Sequence, residues 1–361
     1  MFVLGINISH HPSTCLMEDG EIIYYIEEDR LNKVKQQYLT LEDPMKSLTH
    51  LRKYTTHIDH LIFSSYVKWN DTAMMDMAKE RLSLYGITYG EVHYEKEHHL
   101  WHATNAFYSS TFDEAGALIC DGGGRPLKQW FDNNPRRELE SMYYFFETNI
   151  HTLQHVYGSD NVLYSSEATR IDDKTITSST LSNGWIFNTI NWCCGFNIAG
   201  GSGGKVMGIS PYGVARKAST DEWFKRDEEA DIWITHNENI LNTLRSCFDP
   251  IVDKKTQDPP PFSFETVSNI CQKTQEETRK HTIRLIRDLL GRVNTKNVVL
   301  SGGYFLNCVN NYHYIKEFPE INFYIDPLAH DGGTAMGAVF YVWHHILKNK
   351  KRHPLKTLFL G

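Results

Sequence analysis

Paired cysteine motifs are missing from this sequence: none of its seven cysteines forms a Cys-X-X-Cys unit. An odd count without that spacing argues against a disulfide framework and a zinc ribbon, and fits a reducing cytoplasm. No apolar run reaches the roughly 20 residues that a membrane-crossing helix needs. The chain opens on the strand-like Met1-Phe2-Val3-Leu4-Gly5 rather than on a charged leader, so neither an export signal nor a membrane anchor is expected. Internal repeats and low-complexity tracts are also missing. The formal net charge of −7 speaks against charge-driven binding of bulk nucleic acid, although a local basic strip stays open. What is present is an ordinary folding composition, 41% hydrophobic and 22% charged over 361 residues, enough for two lobes with a substantial core.

Within that composition, His98 and His102 stand four residues apart, a spacing that puts two imidazoles on one helix face where they can grip one ion. Such a pair in isolation more often packs a helix. Two aspartates among glycines reverse that weighting: Asp121 before Gly122 and Gly123, and Asp331 before Gly332 and Gly333. Together they make an N2O2 ligand set, beside glycines that let backbone approach a bound anion.

Residues 2–8, 13–17 and 21–27 read as a three-strand meander, with Asp19-Gly20 as a hairpin turn. Polar helix-like segments at 42–54 and 71–84 flank the apolar run 61–64, and a helix over 98–110 carries the histidines. A strand at 115–120 leads into the Asp121 loop, and alternating stretches at 139–147 and 149–157 predict a second meander. A long helix over 263–290, a strand at 297–300 and helical signal from 304 and over 333–348 complete the pattern. The segments 158–200 and 250–262 read as insertions or lids. The expected division is a first lobe over 1–112, a second over 113–348 and a tail over 349–361. Two α/β lobes, each a mixed sheet with a strand meander and flanking helices, resemble the two-lobed actin, Hsp70 and sugar-kinase (ASKHA) fold.

Seven ordered segments carry a closer resemblance: GINISHHPS at 5–13, EEDRLNK at 27–33, HHLWHA at 98–103, LICDG at 118–122, GKVMGISPYG at 204–213, LSGGYFLNC at 300–308 and DGGTAMGA at 331–338. They resemble the O-carbamoyltransferases that modify antibiotics and nodulation factors, relatives of the tRNA threonylcarbamoyl transferases. The resemblance implies that ATP and carbamoyl phosphate yield carbamoyladenylate, whose carbamoyl group then moves to a hydroxyl of a small molecule, a sugar or a hydroxymethylpyrimidine in a nucleotide or in DNA. It implies that the adenylating step belongs to a C-terminal YrdC-like domain. This chain then reads as the transferase half, supplied with its intermediate by that domain or by a separate protein, and a homodimer is a reasonable expectation.

By the family pattern, His98, His102, Asp121 and Asp331 hold a metal, with iron first and manganese, cobalt or zinc as alternatives for such ligands; magnesium would accompany ATP. Gly122, Gly123, Gly204, Gly302 and Gly303 would bring backbone N–H groups to the nucleotide, with Lys205 as charge partner and Asn307 as a hydrogen-bonding group, against a bland reading as tight turns. His11, or its neighbour His10, would deprotonate the acceptor hydroxyl or polarise the carbamoyl carbonyl. Arg30, Lys33 and Lys35 are either phosphate ligands or an exposed basic turn, and Cys120 and Cys308 are expected to pack as small apolar groups. Trp185, Trp192, Tyr164 and Tyr212 are candidates for an acceptor pocket. Three departures stand out: Pro12 and Gly203 replace acidic residues of the family, and Asn7 stands where kinases of the superfamily place a magnesium-binding aspartate. Two other functions remain open at this point, threonylcarbamoyl transfer to tRNA and a non-catalytic nucleotide-binding subunit.

Overall fold

Short apolar segments divided by turns build the first sheet. Phe2–Asn7 (β1), Ser13–Glu18 (β2) and Glu21–Glu27 (β3) form the expected meander. Asp19 and Gly20, with φ of 48° and 93°, supply the left-handed turn that joins β2 to β3. The computed structural model describes residues 1–35, 37–65, 71–95, 97–127, 136–159, 167–196, 203–248, 262–355, 357–358 and 360. His57–Ser64 (β4) and Thr88–Tyr94 (β5) extend the sheet in the order β3-β2-β1-β4-β5. β1 runs antiparallel to β2 and parallel to β4, and β4 parallel to β5. The helix Asp71–Leu84 (α1) is the crossover that a parallel β4–β5 pair requires, and it buries Met77, Ala78 and Leu82 in a core shared with Leu61 and Phe63.

The second sheet repeats that plan. Its strands are Glu114–Cys120 (β6), Arg137–Phe146 (β7), Asn149–Gly158 (β8), Ala168–Arg170 (β9) and Thr175–Ser178 (β10). Phe224–Asp227 (β11) and Ile232–Thr235 (β12) pair separately, while Asn297–Ser301 (β13) and Asn322–Ile325 (β14) complete the large sheet. The order is β14-β13-β6-β7-β8-β10-β9. Its stretch β8-β7-β6-β13-β14 reproduces the strand order and directions of the first sheet, so each sheet is a meander extended by two parallel strands.

The helices interleave the two halves. His98–Ser109 (α2) follows the first sheet in sequence yet packs on β6, β7 and β13 of the second. Asn183–Cys193 (α3) and Phe264–Arg292 (α4) flank the second sheet. Thr334–Phe340 (α5) comes last but packs on β1, β2 and β4 of the first sheet, and α2 and α5 pack on each other. Their approach depends on glycine: a Cβ on Gly337 would lie 1.8 Å from the Trp101 carbonyl oxygen. The Thr104 hydroxyl donates to the Gly337 carbonyl at 2.8 Å across the same contact.

Two parts of the sequence reading change. The polar segment expected to be helical over 42–54 forms only Lys46–Thr49 and the 3-10 turn Leu51–Lys53, because Pro44 disfavours helix before it and few residues there repeat on one face. In the stretch read as an insertion over 158–200, the described residues form β9, β10 and α3, with β10 parallel to β8. Residues 160–166, 197–202 and 249–261, which include Tyr164, the glycines at 200–201 and the prolines at 259–261, lie outside the described residues.

Candidate active site

Helix periodicity does to His98 and His102 what the spacing predicts: both imidazoles leave one side of the first turns of α2, 1% and 0% exposed. Asp121 comes from the end of β6 and Asp331 from the tight turn before α5, so the interleaved helices bring residues more than 200 positions apart to one point. The His98 Nε2 atom lies 3.4 Å from Asp121 Oδ2 and 3.7 Å from Asp331 Oδ1. His102 Nε2 lies 3.7 Å from the same Asp331 oxygen and 3.2 Å from His98 Nε2. All four ligand atoms fall within 4.8 Å of one another. An ion bound at about 2.0–2.2 Å to each member of a tetrahedral set separates its ligands by roughly 3.3–3.6 Å, so this buried imidazole and carboxylate set fits a borderline divalent cation.

Electrostatics keep the two carboxylates in ligating form. Burial works against charge on Asp121, and the neighbouring Asp331 carboxylate adds to that, but His98 and His102 together hold the Asp121 carboxyl well below the usual range. Asp331 is likewise held well below that range, since His98, His10 and His102 outweigh its burial. Burial disfavours a charged His98, yet the Asp331 and Asp121 carboxylates raise it above the ordinary histidine value. The imidazoles beside the two carboxylates stand in for the positive charge that a bound cation would supply, and metal binding would displace the proton from His98.

Fixed backbone contacts aim these groups. The Gly303 N–H donates to Asp121 Oδ1 at 3.0 Å. Gly302, with φ of 98°, forms the turn that makes this reach possible; a Cβ there would sit 2.2 Å from the Cys120 carbonyl oxygen. Asn7, wholly buried, is a clamp that the sequence reading noted only as a departure. Its Nδ2 donates to the carbonyls of His10 at 2.7 Å, His11 at 3.0 Å and Asp331 at 3.1 Å. Its Oδ1 accepts from the backbone N–H and the hydroxyl of Ser9. One amide thus ties the loop after β1 to the loop before α5.

That loop presents His10 and His11 to a cleft of about 830 Å³. His10 Nδ1 approaches Asp331 Oδ2 at 3.7 Å. His11 takes φ of 52°, a left-handed conformation uncommon outside glycine that histidine, like asparagine and aspartate, adopts more readily than other residues. Burial, then the like charges of His10 and His330, lower His11 to about 4, so its imidazole is neutral near pH 7.

The remaining predicted residues divide. Gly122, Gly123, Gly204, Gly303 and Asn307 line the cleft, as do Trp185 and Trp192. Gly302 lies behind the lining, in the turn. Lys205 is exposed and donates to the Phe196 carbonyl at 3.3 Å instead of lining the cleft. Asn307 caps the following helix and pairs its amide with that of Gln275, at 2.7 and 3.0 Å. Tyr212 is 72% exposed and outside the lining. Cys120 is buried as expected, but Cys308 is exposed, because the helix that starts with it offers that side to solvent. Lys33 is a left-handed helix cap whose ammonium meets the Arg30 carbonyl, and Lys35 is exposed, in keeping with the basic-turn reading.

Sequence reasoning missed Tyr38, Arg137, Asn188, Asn191 and His330 in the lining. It also missed the buried network behind these four residues: His99 Nδ1 meets the Ser141 hydroxyl at 2.8 Å, and His155 Nδ1 lies 2.8 Å from Glu138 Oε1. Glu138 is fully buried, and His99, His155 and Arg125 overcome that burial to hold its carboxyl well below the usual range. The third histidine of the HHLWHA segment was the available signal.

Comparison with known proteins places the chain among relatives of known description. The family model described as the carbamoyltransferase N-terminus matches residues 3–340. Uncharacterized protein sll1178 of Synechocystis sp. is 26% identical over 261 residues, covering 71% of this chain and 37% of that protein. Nodulation protein NolNO of Sinorhizobium fredii is 22% identical over 376 residues, covering 98% of this chain and 49% of that protein. The chain therefore spans between about a third and a half of the length of these relatives. Full-length HypF in a phosphate- and nucleotide-bound form superposes with a TM-score of 0.55 at 12% identity, over 95% of this chain and 55% of that one. HypF from T. kodakarensis gives 0.55 at 14%, over 94% and 47%. At such identities the likeness shows the fold alone, the two-lobed actin, Hsp70 and sugar-kinase architecture. No helix among the described residues is long and apolar enough to cross a membrane.

Proposed function

This chain belongs to the carbamoyltransferase family, and from that premise we propose that it moves a carbamoyl group from carbamoyladenylate to a hydroxyl of a small-molecule, sugar or hydroxymethylpyrimidine acceptor. The observation that carries the reading is the buried His98, His102, Asp121 and Asp331 quartet, set beside two histidines on one cleft. The acceptor oxygen attacks the carbamoyl carbon, forming a C–O bond; the bond from that carbon to the phosphate oxygen breaks, and AMP leaves with its electron pair. The acceptor proton passes to Nε2 of neutral His11, whose Nδ1 is buried. Asn7 holds His11 and the Asp331 backbone in register, which fixes where the acceptor and the phosphate meet. The backbone of Gly122 and Gly123 is open to the cleft, and Arg137 offers a guanidinium there in the part first given to Lys205. His98, His102, Asp121 and Asp331 would hold an iron, manganese, cobalt or zinc ion, which supplies Lewis-acid stabilisation of charge on the departing phosphate. Trp185, Trp192 and Tyr38 give the cleft apolar faces on which a ring can lie.

The test supplies carbamoyladenylate from a separate YrdC-like enzyme with ATP and carbamoyl phosphate, then follows AMP release and acceptor mass for wild type and His11→Gln. Acceptor-dependent AMP release and a product heavier by one carbamoyl group support the reading. A chain that binds the nucleotide but never turns over with any hydroxyl acceptor refutes it in favour of a non-catalytic subunit.

A further inference from the structure

A second histidine cluster lies away from the cleft, on the edge of the first sheet. β5 is the edge strand, and its parallel register with β4 sets His60 opposite Glu91 and Ile62 opposite His93. Glu91 and His93 are two residues apart, so both leave the same sheet face as His60. Gly90 permits this register, because a Cβ at that position would sit 2.7 Å from the Asp59 carbonyl oxygen. His60 Nδ1 lies 3.1 Å from His93 Nε2 and 3.5 Å from Glu91 Oε2, and His93 Nδ1 lies 3.9 Å from Glu91 Oε1. The two imidazoles are largely covered, with side chains 13% and 10% exposed, while the Glu91 carboxylate at 66% can swing from solvent.

We propose that His60, Glu91 and His93 form a second divalent-metal site, a two-histidine, one-carboxylate set suited to Zn²⁺ or a neighbouring first-row ion, with an open position for water. One ligand atom from each residue falls within 4.8 Å of the other two. A hydrogen bond between two neutral imidazoles accounts for the 3.1 Å contact alone. It leaves the carboxylate distances, longer than a hydrogen bond, unexplained. With His60 Nδ1, His93 Nε2 and a Glu91 oxygen as ligand atoms, the 3.1 and 3.5 Å separations lie close to the roughly 3.3–3.6 Å between ligands that one tetrahedral ion holds at about 2.0–2.2 Å; the 3.9 Å contact is made by the other His93 nitrogen. The ion would tie the edge strand to its inner neighbour and hold the two in register.

The experiment is calorimetric titration of the full chain with ZnCl₂, in wild type, His60→Gln/His93→Gln and His98→Ala/His102→Ala. The expected result is two sites in wild type, loss or at least tenfold weakening of one in the first variant, and retention of that one in the second. Co²⁺ loading gives an independent readout: the visible absorption of the edge site disappears from the first variant. If the second variant does not fold, wild type minus the first variant isolates the edge site. Equal Zn²⁺ stoichiometry and affinity in wild type and His60→Gln/His93→Gln overturns the proposal. Carbamoyl transfer is measured in parallel and is expected to be unchanged in that variant, so failure of either proposal is read separately from the other.

Discussion

Asn7→Asp is the substitution that best tests the logic of the site, because it preserves shape while inverting one half of the side chain. The amide Nδ2 has two hydrogens and three carbonyl acceptors at 2.7, 3.0 and 3.1 Å, all in a part-buried setting. An aspartate in that place keeps the oxygen that accepts from Ser9 but aims a second oxygen at three carbonyls. To avoid that repulsion the carboxyl would stay protonated, and a single O–H can serve one acceptor. Two carbonyls then lose a partner, at about 1–3 kcal/mol each when buried. Allowing for water reaching the partly open side, the expected loss is about 3 kcal/mol in urea unfolding. The functional loss is larger than that alone implies, because the released loops carry His11 and Asp331, and a misplacement of about 1 Å costs on the order of 100-fold in rate. The assays are urea denaturation, elemental analysis and carbamoyl transfer on the same preparation. If Asn7→Asp unfolds within about 0.5 kcal/mol of wild type and turns over normally, the clamp has been misread, and the sugar-kinase residue is an adequate substitute at this position.

Other outcomes follow from the same geometry. His98→Ala or Asp331→Ala is expected to abolish metal retention at the cleft site, and transfer with it, with the fold intact; metal content equal to that of wild type in both, measured by elemental analysis in the His60→Gln/His93→Gln background, would remove the site assignment. His344 stacks on Tyr108 and donates from Nδ1 to the Asn349 carbonyl at 2.7 Å, and burial, only partly opposed by that bond, lowers it to about 4. Its folded value lies below its unfolded one, so the unfolded chain binds the extra proton between about pH 6.5 and 4, and stability present above pH 6.5 is lost on acidification. Between pH 7 and 5 this amounts to about 2 kcal/mol, and His344→Gln is expected to show a correspondingly shallower fall in urea midpoint over that interval. Gly337→Ala would drive a methyl to 1.8 Å from the Trp101 carbonyl oxygen, an overpacking expected to cost at least about 3 kcal/mol and to lower soluble yield and metal content together. Arg137→Ala is expected to raise KM for carbamoyladenylate about tenfold with kcat less affected; equal kinetics would remove Arg137 from phosphate binding.

The clustering of His98, His102, Asp121 and Asp331 was legible in the sequence because each member sits in a local pattern that survives folding. A four-residue spacing on a helix and an aspartate before paired glycines are short-range signals, and the first meander was readable from alternation and the Asp19-Gly20 turn for the same reason. The strand Thr88–Tyr94 was not, since an edge strand has one hydrogen-bonded neighbour and no need of an apolar alternation. The wall of the cleft was harder still. Arg137 opens β7, and Asn188 and Asn191 lie on one face of α3 among residues whose composition resembles a loop. Their role comes from where the second sheet and its helices place them, which no single stretch encodes.

Asn7 marks the boundary between those two kinds of information. Its residue type could be compared with that of a kinase, but its work is to join carbonyls at positions 10, 11 and 331, and the last of these is brought near only by α5 crossing back onto the first sheet. The same crossing is enforced by Gly337 against Trp101, one helical turn from His98, and by Thr104 bonding the Gly337 carbonyl. Moving α5 against α2 would therefore disturb Asp331, the histidine pair and the His11 loop together. On the proposed function, metal affinity and acceptor deprotonation would be coupled through one helix contact, so substitutions in that contact should lower both in proportion, whereas substitutions in the cleft wall should separate them.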